Sequence, residues 1–143
     1  MSFEALAREF AEEALGLLAD AEDALLAFER GGDDEASRLR TLRRILHTLK
    51  GNAGLVGAEV VQAAVHALED LAARLEDDPA LVQDLLQGVD CLRHEAQQIL
   101  DGKEVPKDLT VPFLRIDQDT LEANLETTPE GGVANVEYSQ EDA

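Results

Sequence analysis

The chain contains 143 residues, with 31 acidic side chains against 12 lysines and arginines, so its formal charge at pH 7 is −19. This length suits one domain with a tail and leaves no room for a second catalytic domain. The negative charge argues against nonspecific binding to nucleic acid or to an anionic membrane surface, because both depend on lysine and arginine.

The composition favours helices. Hydrophobic residues make up 45% of the chain and aromatic residues only 3%, and alanine and leucine, which dominate the apolar set, are strong helix formers. No stretch approaches the roughly 18 apolar residues that span a bilayer, and the N-terminus does not resemble a signal peptide. The single cysteine, Cys91, gives no sign of an oxidising compartment. We expect a soluble, cytoplasmic, all-α protein without membrane insertion.

The first two predicted helices are separated by glycines. Apolar residues recur at helical spacing from Phe3 to Arg30, and Gly31-Gly32 ends this segment. The second helix is predicted to begin at Asp33 or Asp34, where a short acidic side chain can cap free backbone N–H groups, and to end before Gly57.

Two more helices complete the predicted fold. The third runs from about Ala58 to Leu75, and Asp77-Asp78-Pro79 opens a fourth that stops at Asp101-Gly102. Four amphipathic helices with short connections are typical of an up-down-up-down four-helix bundle. We assign this bundle to residues 1–103.

Beyond the bundle the chain becomes more acidic, with 11 acids and 3 bases in residues 101–143. We treat residues 104–126 as a C-terminal extension. Within it, Thr120 to Glu126 can form a short fifth helix capped by Asp119, packing through Leu121 and Leu125. Residues 127–143 are predicted to be an acidic linker.

The second helix contains a basic stretch around one histidine. At about 100° per residue, His47 lies roughly 130° from the centre of the apolar stripe, so it is predicted to face outward. Residues 38–50 contain no acid and five of the twelve bases, namely Arg38, Arg40, Arg43, Arg44 and Lys50.

Two glycines follow on the same flank as the histidine. Gly51 and Gly54 each cost the helix about 1 kcal/mol relative to alanine, so some gain should offset them. They can form a bare patch that lets the backbone of a partner approach the imidazole, or they can let neighbouring helices pack closely. The sequence leaves both explanations open.

The third helix presents a polar line that can lie beside His47 in an antiparallel pair. Its members are Gln62, His66, Glu69 and Ala73. A carboxylate such as Glu69 can accept a hydrogen bond from one imidazole nitrogen and leave the other free as a nucleophile. Lys50 is placed to offset the charge of a phosphoryl group, about −2 at neutral pH. Taken alone, His66 and Glu69 are equally explained as an ordinary surface pair.

These residues carry a family resemblance. His47-Thr48-Leu49-Lys50-Gly51 resembles the H-x-x-K-G core of histidine phosphotransfer domains, and His66-Ala67-Leu68-Glu69 is similar to the second signature of the CheA family of chemotaxis histidine kinases. The resemblance covers roughly residues 1–103, and residues 120–126 can match an extra C-terminal helix of that family.

The resemblance implies a phosphoryl carrier. His47 would be the phosphoacceptor, Glu69 would hydrogen-bond its ring, Lys50 and His66 would complete the network, and Gly51 would clear space. An ATP-binding kinase domain, in cis or in trans, would phosphorylate His47, and an aspartate of a CheY-like response regulator would take the group. We expect the partner surface to comprise Arg40, Arg43, Arg44, Gly51, Gly54 and Gln62.

No cofactor is expected in this chain itself, because ATP and Mg²⁺ would sit on the kinase and the receiver. A glycine-rich nucleotide loop is absent from the sequence, so we do not expect the chain to phosphorylate itself. Three alternatives remain: a stand-alone shuttle of a multistep phosphorelay, a helical docking module without chemistry, and a zinc site at His47, His66 and Glu69. Lys50 opposes the zinc site, since it would repel a cation.

Overall fold

The computed structural model describes residues 2–121, in which four long helices precede a two-stranded hairpin. The first helix is capped by Ser2, whose hydroxyl accepts a hydrogen bond from the backbone N–H of Ala5 at 3.1 Å. The elements are α1 (Phe3–Arg30), α2 (Glu35–Leu55), α3 (Glu59–Ala73), α4 (Leu81–Leu100), β1 (Asp108–Val111) and β2 (Leu114–Asp117).

The helices form the predicted bundle. Helix α1 packs against α2 and α4, and α3 packs against α2 and, less extensively, α4. The apolar stripes meet in one core, whose fully buried side chains include Leu18, Leu25, Leu46, Leu68 and Leu85. Burying each such side chain stabilises the fold by about 1.5–3 kcal/mol. The four-helix bundle prediction is therefore confirmed.

The glycines predicted to end α1 and α2 lie at those helix ends, whereas the acidic residue predicted to cap α2 makes no capping hydrogen bond. Gly31 and Gly57 have positive φ of 80° and 75°, which favours glycine where α1 and α2 end. Asp34 occupies the position before α2 but makes no capping hydrogen bond with its side chain. Helix α4 begins at Leu81, after a turn in which the backbone N–H of Leu81 donates to the Asp78 carbonyl at 3.0 Å.

The antiparallel hairpin of β1 and β2 was not predicted. Its apolar side chains Leu109, Val111, Leu114 and Ile116 are buried, and the hairpin packs against α3 and α4. The turn between the strands places Phe113 at a φ of 72°, an uncommon conformation for a residue other than glycine. The hairpin therefore packs on α3 and α4, the pair of adjacent helices with the least extensive contact.

A helical turn follows the hairpin and begins two residues earlier than predicted, at Gln118 instead of Thr120. Asp117, not Asp119, is the cap: its Oδ1 accepts a hydrogen bond from the backbone N–H of Thr120 at 2.7 Å. This hydrogen bond lowers the pKa of Asp117 below its ordinary value. Leu121 is buried as predicted. Leu125, the rest of the predicted helix to residue 126 and the linker 127–143 lie outside the described residues.

Helix α4 approaches α3 closely at a glycine. A Cβ built at Gly88 would lie 2.5 Å from Cδ2 of Leu68, which is fully buried. A larger residue at Gly88 would therefore force Leu68 to shift, and Leu68 directly precedes Glu69 on α3. None of the helices in residues 2–121 combines the length and apolar composition of a membrane span.

Candidate functional site

His47 projects from the middle of α2 into solvent, as predicted. Its side chain is 78% exposed, and its Nδ1 lies 3.6 Å from Oε2 of Glu69 on α3. This distance is within ion-pair range but longer than a hydrogen bond, which requires about 2.7–3.2 Å. The antiparallel pairing of α2 with α3 thus brings His47 and Glu69 together from positions 22 residues apart.

Lys50 holds the carboxylate that faces His47. Its Nζ donates to Oε1 of Glu69 at 2.7 Å, and both side chains are mostly buried. Charge-assisted hydrogen bonds of this length are among the stronger polar contacts in proteins. Lys50 therefore fixes one Glu69 oxygen, while the other oxygen faces the imidazole of His47.

His66 lies behind the same carboxylate. Its Nδ1 is 3.7 Å from Oε1 of Glu69, and its Nε2 is 3.9 Å from Oδ2 of Asp70. Both contacts are electrostatic, since they are too long for hydrogen bonds. Asp70 was not identified from the sequence, although its spacing of four residues from His66 was a usable signal.

The arrangement leaves one imidazole nitrogen available for chemistry. Nδ1 of His47 faces a carboxylate, which favours the tautomer with the proton on Nδ1. Nε2 of His47 contacts no hydrogen-bond or ion-pair partner among residues 2–121. A neutral imidazole in this orientation presents the Nε2 lone pair to solvent as a nucleophile.

The two glycines beside His47 serve different purposes. A Cβ built at Gly51 would meet no atom within 4 Å, so Gly51 forms an open patch on the surface. A Cβ at Gly54 would lie 2.5 Å from Nε2 of Gln62, so Gly54 allows the side chain of Gln62 on α3 to pack against α2. The open-patch explanation thus applies to Gly51, whereas Gly54 lies against the end of the Gln62 side chain.

The arginines before His47 are exposed and unpaired. Arg40, Arg43 and Arg44 make no ion pair or side-chain hydrogen bond with any residue in the described part of the chain. By contrast, Arg93 on α4 pairs with Glu22 at 3.0 Å, and Arg115 pairs with Asp117 at 3.0 Å. The positive charge on the His47 face of α2 is therefore available to an acidic partner.

No group of three or more histidine, cysteine, aspartate or glutamate side chains within residues 2–121 is placed to hold a metal ion. At the site itself, the ammonium group of Lys50 already occupies Oε1 of Glu69. The third histidine of the chain, His94, lies outside this site and is exposed on α4.

The sequence matches the Hpt domain family over residues 5–102. The chain belongs to the Hpt domain family. No curated protein matches this Hpt domain in sequence. Among solved structures it is similar to the phosphorylated P1 domain of CheA3 in complex with CheY6 from R. sphaeroides, at 30% identity and a TM-score of 0.60, over 68% of this chain and 80% of that chain.

The match confirms the resemblance drawn from the two sequence signatures. The Hpt family region contains α2 to α4, all of α1 except its first two residues, and the four residues of the polar site, His47, Lys50, His66 and Glu69. The hairpin and the helical turn after it lie beyond this region.

Proposed function

We propose that this Hpt domain carries a phosphoryl group on Nε2 of His47. The observation that carries the proposal is the polar arrangement around the ring: an exposed imidazole whose Nδ1 faces a carboxylate that Lys50 already holds at 2.7 Å. An imidazole needs such an orienting partner to keep one nitrogen protonated while the other attacks. The 3.6 Å contact can shorten to a hydrogen bond as positive charge develops on the ring.

The donor in this proposal is ATP bound to a kinase catalytic domain, in cis or in trans. The lone pair of Nε2 attacks the γ-phosphorus, the bond from phosphorus to the ADP oxygen breaks, and ADP leaves with that electron pair. The ring becomes a phospho-imidazolium whose Nδ1–H points to Glu69. Lys50 offsets part of the charge that the phosphoryl group brings, about −2. ATP and Mg²⁺ belong to the partners, and this chain supplies position and charge.

The acceptor in this proposal is an aspartate of a CheY-like receiver domain. The carboxylate attacks phosphorus, the P–N bond breaks, and its electron pair returns to Nε2, which regenerates the neutral ring. The similar P1 domain was solved phosphorylated and in complex with a CheY protein, which supports this choice of partner. The unpaired bases Arg40, Arg43 and Arg44 suit the acidic pocket of a receiver. Because the donor is ATP, we place the reaction in the cytoplasm.

The test is to incubate the chain with Mg²⁺-ATP and a CheA-type kinase core and to measure phosphate that is labile to acid and stable to alkali. We expect the parent chain to be labelled and the His47→Gln variant to remain unlabelled. His94→Gln is the matched control, because it removes another exposed histidine of the same bundle. Labelling of His47→Gln at the parental level would contradict the assignment.

A further inference from the structure

The face of α2 around His47 carries exposed arginines before the histidine and one exposed leucine after it. Leu55, the last residue of α2, is 86% exposed, more than any other large hydrophobic side chain in residues 2–121. It lies eight residues after His47, which is about 12 Å along the helix axis and about 80° around it. Leu55 is therefore on the same side of α2 as the imidazole.

Gly51 connects the two residues. At about 100° per residue it lies between them, about 40° from each. Because a Cβ at Gly51 would meet no atom within 4 Å, the helix surface between the imidazole and Leu55 is open backbone at this position. A partner that reaches His47 can thus contact Leu55 without an intervening side chain.

The opposite half of the same face is basic. Arg40, Arg43 and Arg44 precede His47 by three to seven residues and lie within about 60° of it around the helix. They have no partner among the described residues, as shown above. In chain order, this face of α2 therefore carries the three arginines, then His47, then the open position at Gly51, and finally the exposed Leu55.

Resting on the proposed function, we propose that Leu55 is the apolar anchor of the receiver docking surface. The partner it fits is a receiver domain that carries an apolar patch on one side of its acidic phosphoacceptor pocket. The arginines attract the acidic pocket, and Leu55 buries its side chain in the patch, so the two ends together fix the direction in which the receiver lies along α2. Because the side chain of Leu55 is 86% exposed, it contributes little to the core of the bundle, and its burial can contribute free energy to binding instead.

The two contributions differ in kind. Charge attraction from the arginines mainly raises the association rate and weakens as salt increases. Burial of Leu55 slows dissociation and is insensitive to moderate salt. A receiver with an acidic pocket but without an adjacent apolar patch would meet the charged half alone, which makes Leu55 a specificity-determining residue.

The experiment compares Leu55→Ala with the parent chain in two separate steps. The first is loading of His47 by a kinase core with Mg²⁺-ATP, and the second is transfer from the loaded chain to increasing concentrations of a purified CheY-type receiver. We expect loading within about twofold of the parent and a half-saturating receiver concentration raised by about tenfold, the factor that leucine burial accounts for. Leu55→Met should restore near-parental transfer, since it keeps apolar volume.

Phe113→Ala is the matched control. Phe113 is 58% exposed but belongs to the hairpin, which packs on α3 and α4. It should leave both steps unchanged. Parental transfer by Leu55→Ala, or an equal loss in loading and transfer, would overturn the inference while leaving the phosphoryl carrier intact. A parent chain that takes no phosphate on His47 would instead overturn the proposed function, and this inference with it.

Discussion

Glu69 faces three basic side chains, so its effect on His47 cannot be separated from the others by a single substitution. One oxygen lies 2.7 Å from Lys50 and 3.7 Å from His66, and the other lies 3.6 Å from His47. Removing Glu69 frees the ammonium group of Lys50, and removing Lys50 frees an oxygen of Glu69. The two residues act as a unit, and their contributions to phosphorylation should be coupled.

We predict that Glu69→Ala slows loading of His47 by about tenfold to a hundredfold, as removal of the carboxylate that orients a metal-binding histidine does. Lys50→Met should slow loading as well. The loading rate of the double variant should fall by less than the product of the two single fold-decreases. Each single variant already breaks the ion pair between Lys50 and Glu69, so the second substitution cannot break it again. The measurement is the initial rate of phosphohistidine formation, with thermal unfolding followed in parallel.

Glu22→Ala is the control for this pair of variants. It breaks a comparable ion pair, to Arg93 at 3.0 Å, between α1 and α4. Loading should remain parental, and the free energy of unfolding should change by no more than about 1 kcal/mol, as for most partly exposed pairs. If Glu69→Ala loads at the parental rate, Glu69 does not position the ring.

The sequence predicted which residues form this site, but it did not predict the distances between their side chains. The order of residues in α2 and α3 predicted that His47, Lys50, His66 and Glu69 would meet, because two antiparallel helices joined by a short turn align their flanks. Periodicity gives a direction around a helix but not the separation of two helices. It therefore could not distinguish the open Gly51 from Gly54, which contacts Gln62.

Among the helices, the separation of α3 and α4 depends on Gly88. A methyl group there would overlap the buried side chain of Leu68, so that side chain or one of the two helices would have to shift. We predict that Gly88→Ala lowers the free energy of unfolding by about 1–3 kcal/mol through overpacking, even though alanine favours a helix by about 1 kcal/mol. The measurement is urea unfolding of the whole chain.

The same substitution in α1 provides the control. A Cβ at Gly16 would meet no atom within 4 Å. Gly16→Ala should therefore raise the free energy of unfolding, by up to about 1 kcal/mol. If both variants are stabilised equally, close packing at Gly88 has no energetic role.

The hairpin shows where element prediction fell short. The segment Asp108 to Asp117 alternates apolar and polar residues, which is the signal for strands, but each alternation lasts only four residues and Pro112 interrupts the pair. Four residues are too few for periodicity to distinguish a strand from a loop. The strands form because α3 and α4 leave apolar surface that Leu109 and Val111 can cover.

On the scale of the whole molecule, the net charge is −19, but the face of α2 around His47 is locally positive. Acidic side chains are spread over the other helices and the C-terminal part, whereas the His47 face of α2 presents unpaired bases. A charged partner responds to the local field at contact distance, since charges beyond about 8–10 Å are screened at physiological ionic strength. The overall sign therefore does not predict which partners bind at His47.

The thiol of Cys91 can serve as a chemical reporter of how firmly the C-terminal hairpin stays attached. It is half-buried on α4, and its Sγ donates to the backbone carbonyl of Thr110 in β1 at 3.4 Å. Burial and, secondly, the charge of Glu95 raise the pKa of Cys91, so the reactive thiolate is scarce at neutral pH. Alkylation should thus be slow and should increase when the strand separates from the bundle.

We predict that native alkylation of Cys91 accelerates with rising pH and is faster still in Leu109→Ala, which removes a buried contact of β1. The rate is measured by mass spectrometry against a short unstructured peptide containing cysteine. Equal rates for the chain and the peptide would mean that the hairpin gives no protection. A slow rate would make this thiol a readout of local opening where β1 contacts α4, recorded without a change to any residue of the phosphoryl site.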